Sequence, residues 1–232
     1  MSAQATAVNG KAEFAAAHRV NRSLTAAAEK RLLVWIAGRA PGWVTSDRLT
    51  LLGLGAQAAA AVCYALAPGH RHLLGLACFC VALNWLGDSL DGTLARVRGQ
   101  QRPRYGFYVD HMVDIFGSTV LMGGLAFSGL LHEATAAALL VSFLLLAAES
   151  YLATYTLGRF ELSQGFLGPT EIRILLIAAT MKAMENPCVR VLGHRMLLFD
   201  LGGAIAAGAM LATAAAVGIR HTAQLYRREP LP

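Results

Sequence analysis

Long apolar segments are the feature of this sequence that limits its possible folds most. The chain of 232 residues is 56% hydrophobic and only 15% charged, and its mean hydropathy is +0.49. This is more apolar than the core of one small soluble domain requires. Most of the segments approach the roughly 20 residues that an α-helix needs to cross a bilayer. Six can be drawn, at about 49–67, 73–90, 107–131, 134–157, 171–185 and 198–219. The sequence therefore predicts an all-α integral membrane protein with six transmembrane helices.

The distribution of basic residues predicts how these helices are oriented. If both termini are cytoplasmic, all but four of the 20 Lys and Arg residues lie on the cytoplasmic side. The four exceptions are Arg71, Lys182, Arg190 and Arg195. This asymmetry follows the positive-inside rule, so we expect a multi-pass protein with cytoplasmic N- and C-termini. The net charge of +6 is then explained by topology and anionic headgroups, and nucleic-acid binding is not expected.

Four carboxylates stand out because they interrupt apolar runs in a chain poor in charge. Asp88 and Asp91 are spaced i, i+3 near the end of the second segment, and Asp110 and Asp114 are spaced i, i+4 near the start of the third. Each pair therefore shares one helix face. With an N-in topology all four lie near the cytoplasmic leaflet. Ionisable groups inside a membrane are costly and are usually functional.

The type and number of these side chains predict a metal site. Like charges held close together in a medium of low dielectric repel strongly, and a bound cation is a common remedy. Oxygen ligands without thiolate or imidazole favour a hard divalent ion. We therefore expect a divalent ion, Mg²⁺ or Mn²⁺, beside these carboxylates.

Small residues and one cation accompany the acids. Gly92 and Ala95 leave a helix surface without bulk, which allows a flat base or a phosphate to approach the backbone. Gly106, at the start of the next helix, offers the same access. Arg96 can pair with phosphate oxygens. A divalent ion beside a basic loop predicts a substrate that carries phosphate.

These residues together form a recognisable pattern. It reads Asp88-x2-Asp91-Gly92-x2-Ala95-Arg96-x9-Gly106-x3-Asp110-x3-Asp114. The pattern resembles the signature of the CDP-alcohol phosphotransferase family, also called CDP-alcohol phosphatidyltransferases, and every defining residue is present. The nine residues between Arg96 and Gly106 are at the long end of the family's range.

The resemblance implies a reaction and a role for each residue. A hydroxyl attacks the β-phosphorus of a CDP-linked donor, CMP leaves, and a phosphodiester forms. By similarity, Asp114 is the general base and Asp91 is the other catalytic residue. The resemblance also implies that one or two divalent ions are bound by Asp88, Asp91, Asp110 and Asp114. The residues expected to bind the CDP moiety are Asp88, Gly92, Ala95, Arg96, Gly106 and Thr50. The expected product is a phospholipid, and the expected cofactor is Mg²⁺ or Mn²⁺. The resemblance also implies that the membrane enzyme is a homodimer.

The entry to the first segment departs from the family's pattern. Thr45-Ser-Asp47-Arg48-Leu-Thr50 is similar to the family's Pro-Asn-x-x-Thr sequence, with Asp47 where Asn is usual. Two interpretations are equally open here. Thr50 contacts the pyrophosphate, or Ser46 or Asp47 simply caps the helix.

Three further charged residues are candidates for a pocket that binds the acceptor or headgroup. Glu171 and Arg173 follow Gly168-Pro169 at the start of the fifth segment, an ordinary helix start that equally explains the acid. The stretch from Tyr155 to Glu171, which includes Arg159, is loosely similar to eukaryotic choline and ethanolamine phosphotransferases. Glu149 lies midway along the fourth segment with no obvious partner in the sequence.

The preferred function is transfer of a phosphatidyl group from CDP-diacylglycerol to a small polar alcohol. The alternative reverses the roles, with phosphoethanolamine or phosphocholine moving from a CDP-amino-alcohol to diacylglycerol. An alternative of another class is a membrane cation transporter, which leaves Gly92, Ala95, Arg96 and Gly106 unexplained. A catalytically inactive scaffold is disfavoured because no acid of the signature is missing.

The chain divides into three regions on this interpretation. Residues 1–45 form a cytoplasmic arm with an amphipathic helix on the membrane surface, 46–220 form the six-helix transmembrane catalytic domain, and 221–232 form a cytoplasmic tail. The apolar stripe of the amphipathic helix is expected at Leu24, Ala28, Leu32, Trp35 and Ile36. Residues 1–22 show no signal peptide, so the first span must serve as the targeting signal. Short loops and the absence of extra domains favour a bacterial inner membrane.

Overall fold

A computed structural model describes residues 26–158, 168–191, 193–229 and 231 of the chain. Most of them are helical. The helices are α1 (Ala26–Ala37), α2 (Ser46–Leu66), α3 (Leu73–Val97), α4 (Pro103–Ala126), α5 (Glu133–Leu157), α6 (Pro169–Glu185) and α7 (Leu198–Arg228). Between α6 and α7 lie two short strands, β1 (Cys188–Val191) and β2 (His194–Leu197). Leu24, Arg159 and most of the predicted N-terminal arm lie outside the described residues.

The six long helices α2 to α7 coincide with the six predicted segments, and four of them are long and apolar enough to cross a membrane. These four, among the residues described, are α2, α3, α5 and α7. Helix α4 carries Asp110 and Asp114 in its first half, and α6 has only 17 residues. The chain is therefore a multi-pass membrane protein, while the crossing of the bilayer by α4 and α6 stays a prediction.

Helix α2 is the centre of the bundle because it packs against both α3 and α4. Small residues make these contacts close. A Cβ atom on Gly87 of α3 would lie 2.7 Å from the backbone nitrogen of Gly53 and 2.7 Å from the carbonyl oxygen of Leu49. A Cβ on Gly124 of α4 would lie 2.2 Å from the carbonyl oxygen of Ala61. Close backbone approach through small residues is the usual basis of helix association in membranes.

The remaining helices surround this core. Helix α6 packs on α3, while α5 packs on both α4 and α7. At the end of the bundle away from the acids, the hydroxyls of Tyr64 and Thr180 are 2.7 Å apart and fully buried. Arg71 donates to the carbonyl of Ala183 at 2.9 Å. These contacts tie the last turns of α6 to the core.

Helix α1 forms where an amphipathic helix is predicted, and it presents different faces to the protein and to the outside. Leu33 and Ala37 are buried and pack beside Leu90 and Leu94 of α3. The predicted apolar stripe is divided: Leu32 and Trp35 point away from the protein and are 46% and 56% exposed, whereas Ile36 packs against the buried cluster. An outward apolar stripe suits a membrane surface, and the location of α1 there stays a prediction.

The structure corrects several details of the sequence-based predictions. The chain is not purely helical, because β1 and β2 form an antiparallel hairpin that pairs Cys188 with Leu197. Gly193 has a φ of +84° in its turn, a conformation that glycine adopts at little cost. Helix α4 begins at Pro103 rather than at 107, because proline suits the first helical position. Helix α7 continues to Arg228 through most of the predicted tail, because no Gly or Pro interrupts 219–228.

Adjacent glycines of α4 provide a matched test of the packing. We expect Gly124→Ala to lower the free energy of unfolding by about 1–3 kcal/mol, because the new methyl group meets the α2 backbone, which cannot move aside. Gly123→Ala should leave it unchanged or raise it slightly, since nothing lies within 4 Å of that position. Thermal unfolding of the two purified variants in one detergent measures the difference. Equal stabilities would contradict the close contact between α2 and α4.

Candidate active site

The four aspartates of the signature come from two helices that α2 holds. Asp88 and Asp91 lie in the second half of α3, and Asp110 and Asp114 lie in the first half of α4. All four side chains are half-buried. Asp91 interacts electrostatically with Asp88 on its own helix and with Asp110 on α4. The fold thus brings the two predicted pairs towards one another.

The first turns of α2 hold Asp91 in place. The hydroxyl of Thr50 donates to Oδ2 of Asp91 at 2.5 Å, and the backbone N–H of Gly92 donates to Oδ1 at 2.5 Å. Ser46 donates to the carbonyl oxygen of Asp91 at 2.9 Å. Thr50 therefore lies at the predicted site, in contact with a signature acid.

The cap of α2 is neither of the two residues considered from the sequence. Thr45 is the N-cap, and its side chain accepts from the backbone N–H of Arg48 at 3.3 Å. The Ser46 hydroxyl donates instead to the backbone carbonyl of Asp91, and the Asp47 carboxylate forms an ion pair with Arg102. This pairing raises the pKa of the Arg102 guanidinium. Asp47, which replaces the family's usual Asn, thus links the start of α2 to the loop between α3 and α4.

Asp88 is paired with a cation from α6. Arg173 donates to Oδ2 of Asp88 at 2.7 Å, and the two side chains are 16% and 26% exposed respectively. The Nε of Arg173 donates to Oδ1 of Asn84 at 2.9 Å. A charge in a partly buried position requires such partners to offset its desolvation. Arg173, predicted as an acceptor residue, is therefore in direct contact with the signature.

Asn84, which was not predicted as a site residue, accepts the hydrogen bond from Arg173 and helps to hold it in place. It lies one helical turn before Asp88 and is only 6% exposed. Its Nδ2 donates to the carbonyl of Gly53 at 3.0 Å and to Oε1 of Gln57 at 3.3 Å. The signal in the sequence was an amide within the apolar run of α3. Its partner on α6 could not be known without the fold.

The face of α3 after Asp91 remains open, as its small residues suggest. Gly92 and Ala95 are half-buried, and a Cβ on Gly92 would lie 3.4 Å from a terminal nitrogen of Arg96. Arg96 also donates to the hydroxyl of Thr93 at 3.0 Å. Gly106 is exposed in the first turn of α4, and nothing lies within 4 Å of its missing side chain. The surface offers room and a guanidinium beside the acids.

An aromatic cluster borders the acids of α4. The rings of Phe107 and His111 are 4.1 Å apart, and those of His111 and Tyr151 are 4.8 Å apart. Tyr151, on α5, interacts electrostatically with both Asp110 and Asp114. It was not predicted, because a tyrosine in an apolar helix is most often a packing residue. The structure adds it to the lining of the site.

The two remaining acceptor candidates have their own partners. Glu171 is 7% exposed, and its Oε2 accepts the backbone N–H of the N-cap residue Gly168 at 2.8 Å at the start of α6. Glu149 of α5 lies 2.6 Å from Nδ1 of His221 on α7. His221 is the partner that the sequence did not reveal. Neither acid is in the group around Asp91.

The acids fit a divalent ion by their chemistry. Within the described parts of the chain, no three His, Cys, Asp or Glu side chains lie close enough together to hold a metal. Asp88 and Asp91 face Arg173 and Thr50 instead. The donor set consists of carboxylates alone, and the charges of Asp88, Asp91 and Asp110 interact unfavourably. A hard divalent cation relieves that repulsion.

Comparison with known proteins gives one family and one fold. A family model described as CDP-alcohol phosphatidyltransferase matches residues 43–219, which include all four aspartates. A search of curated proteins finds no match. A crystal structure of Mycobacterium tuberculosis phosphatidylinositol phosphate synthase with CDP-DAG bound is similar, with a TM-score of 0.52 and 23% identity. The match covers 84% of this chain and 92% of that chain. At this identity the likeness concerns the fold.

Binding of Mn²⁺ provides a test of the acids that requires no substrate. Because a ligand stabilises the folded state that binds it, we expect saturating Mn²⁺ to raise the thermal unfolding temperature, by an amount equivalent to about 2–4 kcal/mol at 100 to 1,000 times Kd. Asp91→Asn should weaken this effect strongly. Glu185→Gln is the matched control, since Glu185 forms an ion pair with Lys182 at the surface. An equal Mn²⁺ effect in both variants would contradict the predicted metal site.

The pairing of Asp88 with Arg173 is testable by a double-mutant cycle. Asp88→Asn and Arg173→Gln should each lower the free energy of unfolding by about 1–3 kcal/mol, because each leaves a partly buried charge without its partner. The double variant should lose less than the sum of the two, and chemical denaturation of all four proteins measures the coupling. Strict additivity would show that the two side chains do not interact.

Proposed function

Because the chain belongs to the CDP-alcohol phosphatidyltransferase family, we propose that it transfers a phosphatidyl group from CDP-diacylglycerol to a small polar alcohol and releases CMP. Membership makes it a membrane transferase of phospholipid biosynthesis. The identity of the donor is supported by the neighbouring synthase, whose structure contains CDP-DAG. The small alcohol as acceptor is proposed without such a neighbour.

The observation that carries the proposal is the grouping of the signature acids. Asp91 of α3 interacts with Asp110 of α4, and both helices pack against α2, whose Thr50 holds Asp91. Asp91 and Asp110, which are distant in the sequence, thus approach each other at one end of the bundle. A group of acids on two adjacent helices supports a substrate that carries pyrophosphate together with a divalent cation.

The donor side of the site is the open face of α3 and the first turn of α4. Gly92 and Ala95 let the cytidine nucleotide lie against α3, and Gly106 leaves room on α4. Arg96, at the edge of that face, pairs with phosphate oxygens through its planar guanidinium. Because Gly92 has no side chain, Arg96 can turn over the helix surface towards the phosphate.

The chemical step forms one bond and breaks another. The hydroxyl oxygen of the alcohol bonds to the β-phosphorus, the bond from that phosphorus to the bridging oxygen breaks, and the bridging oxygen leaves with CMP. Asp114 accepts the hydroxyl proton, a role suited to a carboxylate that is half-buried on the helix facing the donor. Members of the family generally depend on a divalent metal. Such an ion, when bound by Asp88, Asp91, Asp110 and Asp114, neutralises charge on the pyrophosphate.

The acceptor side lies towards α5 and α6. Arg173 of α6 donates to Asp88 and keeps it oriented. Tyr151 of α5 lies beside Asp110 and Asp114 of α4. Their polar groups can position a small alcohol between Asp114 and the phosphorus. Glu171 and Glu149 are not placed in contact with the alcohol in this proposal. Glu171 accepts from Gly168, and Glu149 pairs with His221.

The transfer of an amino-alcohol phosphate to diacylglycerol uses the same acids and is the other outcome of the assay below. It needs a carboxylate that holds a cationic headgroup. Glu171 was the candidate for that role, and its Oε2 accepts from Gly168. A cation transporter is disfavoured, since the family to which the chain belongs consists of transferases.

Release of CMP tests the proposal directly. Purified protein with Mg²⁺ or Mn²⁺ should release CMP from CDP-diacylglycerol with one member of a panel of alcohols. Asp114→Asn should lower kcat by about 10²–10⁴-fold, because a general base contributes rate enhancement of that order. Glu185→Gln, a carboxylate removed at the protein surface, should retain full activity.

Each possible outcome has a distinct meaning. CMP release only from CDP-choline or CDP-ethanolamine with diacylglycerol would reverse the assignment of donor and acceptor. No release in either set, from folded protein that binds Mn²⁺, would contradict the proposed reaction. Unchanged activity in Asp114→Asn would remove Asp114 from the role of base.

A further inference from the structure

Glu29 of α1 is a polar junction between three helices. Its Oε1 accepts from Nε1 of Trp85 at 2.9 Å, from the hydroxyl of Ser89 at 3.0 Å, and from the hydroxyl of Thr170 at 2.8 Å. Trp85 Nε1 also lies 3.2 Å from the Thr170 hydroxyl. Trp85 and Ser89 belong to α3, and Thr170 belongs to the first turn of α6. One carboxylate oxygen therefore joins α1, α3 and α6.

The position of Glu29 follows from the packing of α1. Glu29, Leu33 and Ala37 are spaced by four residues and lie on one helix face. Leu33 and Ala37 are buried against Leu90 and Leu94 of α3. The same face therefore directs Glu29 towards α3. All of α1 lies outside residues 43–219, which the family model matches.

The residues that Glu29 contacts adjoin the ion pair of the site. Trp85 and Ser89 lie three residues before and one residue after Asp88 on α3. Thr170 lies one turn before Arg173 on α6. Glu29 thus holds the two helices together at the level where Arg173 donates to Asp88 at 2.7 Å.

The two ends of α6 are held by different contacts. Helix α6 packs on α3 and makes only sparse contact with α7. Its last turns are held in the core by Tyr64 and Arg71. At its start, the contacts to other helices include the hydroxyl of Thr170 on Glu29 and the guanidinium of Arg173 on Asn84 and Asp88. Loss of Glu29 removes one of these ties at the start of α6, while the other end stays fixed.

We propose that Glu29 is a positioning residue of the transferase, which docks the first turn of α6 on α3 so that Arg173 orients Asp88. The N-terminal helix is then a part of the active-site framework as well as a surface element. This inference rests on the proposed function for its kinetic test. Small displacements away from the reacting atoms can lower rates severely.

Kinetics of three α1 variants test the proposal. We expect Glu29→Ala to lower kcat, per folded protein, by about 10- to 100-fold, because Arg173 loses its alignment with Asp88. The KM for CDP-diacylglycerol should change less than kcat does, since Gly92, Ala95 and Arg96 of the donor face are untouched. Glu29→Gln should restore most of the activity, because its amide oxygen can accept the same hydrogen bonds. Lys30→Ala, at the next residue of α1, is exposed and serves as the control.

Fluorescence of Trp85 reports the junction without any substrate. In a Trp35→Phe, Trp43→Phe background, Trp85 is the only tryptophan left. Glu29→Ala should shift its emission and increase its quenching by acrylamide, whereas Lys30→Ala should do neither. A purely structural role would lower the thermal stability of Glu29→Ala but leave kcat of the folded protein unchanged.

The outcomes separate this inference from the proposed function. Unchanged kcat in folded Glu29→Ala, or unchanged Trp85 emission, would overturn the positioning role. Failure of Glu29→Gln to recover activity would also overturn it, because the role requires only an acceptor. Absence of CMP release from the parent protein would instead contradict the proposed reaction.

Discussion

Carboxylates in an apolar helical bundle must be matched with donors or cations, and this constraint organises the structure around Asp88 and Asp91. Taking a charge out of water costs several kcal/mol unless the surroundings compensate it. Asp88 is compensated by Arg173, and Asp91 by Thr50 and its own backbone. Thr50 lies on α2 and Arg173 lies on α6. These two contacts therefore join α2 and α6 to α3.

Hydrogen bonds between polar side chains continue from Arg173 into the interior of the bundle. Arg173 is held by Asn84, and Asn84 by Gln57 and the backbone of Gly53 on α2. A buried polar network is useful only when every member is satisfied, and then it specifies one packing of the helices. The absence of side chains at Gly53 and Gly87 permits the close approach of α2 and α3 that this network requires. Packing and electrostatics therefore select the same geometry.

The helices of the bundle could be predicted from local patterns, because most of the apolar runs are long and some ends carry clear signals such as Pro169. The details that failed were those set by competition between neighbours. Ser46 does not cap α2, because Asp91 uses its hydroxyl, and Thr45 takes that position. The hairpin of β1 and β2 was missed because four-residue strands carry too little periodicity to be distinguished from a loop. Helix α7 extends past its apolar segment because polar residues that favour helix continue it.

The sequence by itself determined the membrane class, the six helical segments and the four acids, because hydropathy and helical spacing are local properties. It also determined Gly92, Ala95, Arg96 and Gly106 as companions of those acids. Only the tertiary structure decided that Arg173 pairs with Asp88, that Tyr151 borders Asp110 and Asp114, and that Glu149 meets His221. It alone decided that Glu29 joins α1 to α3 and α6. These are contacts between distant segments, and their partners depend on how the helices pack, which no local pattern encodes.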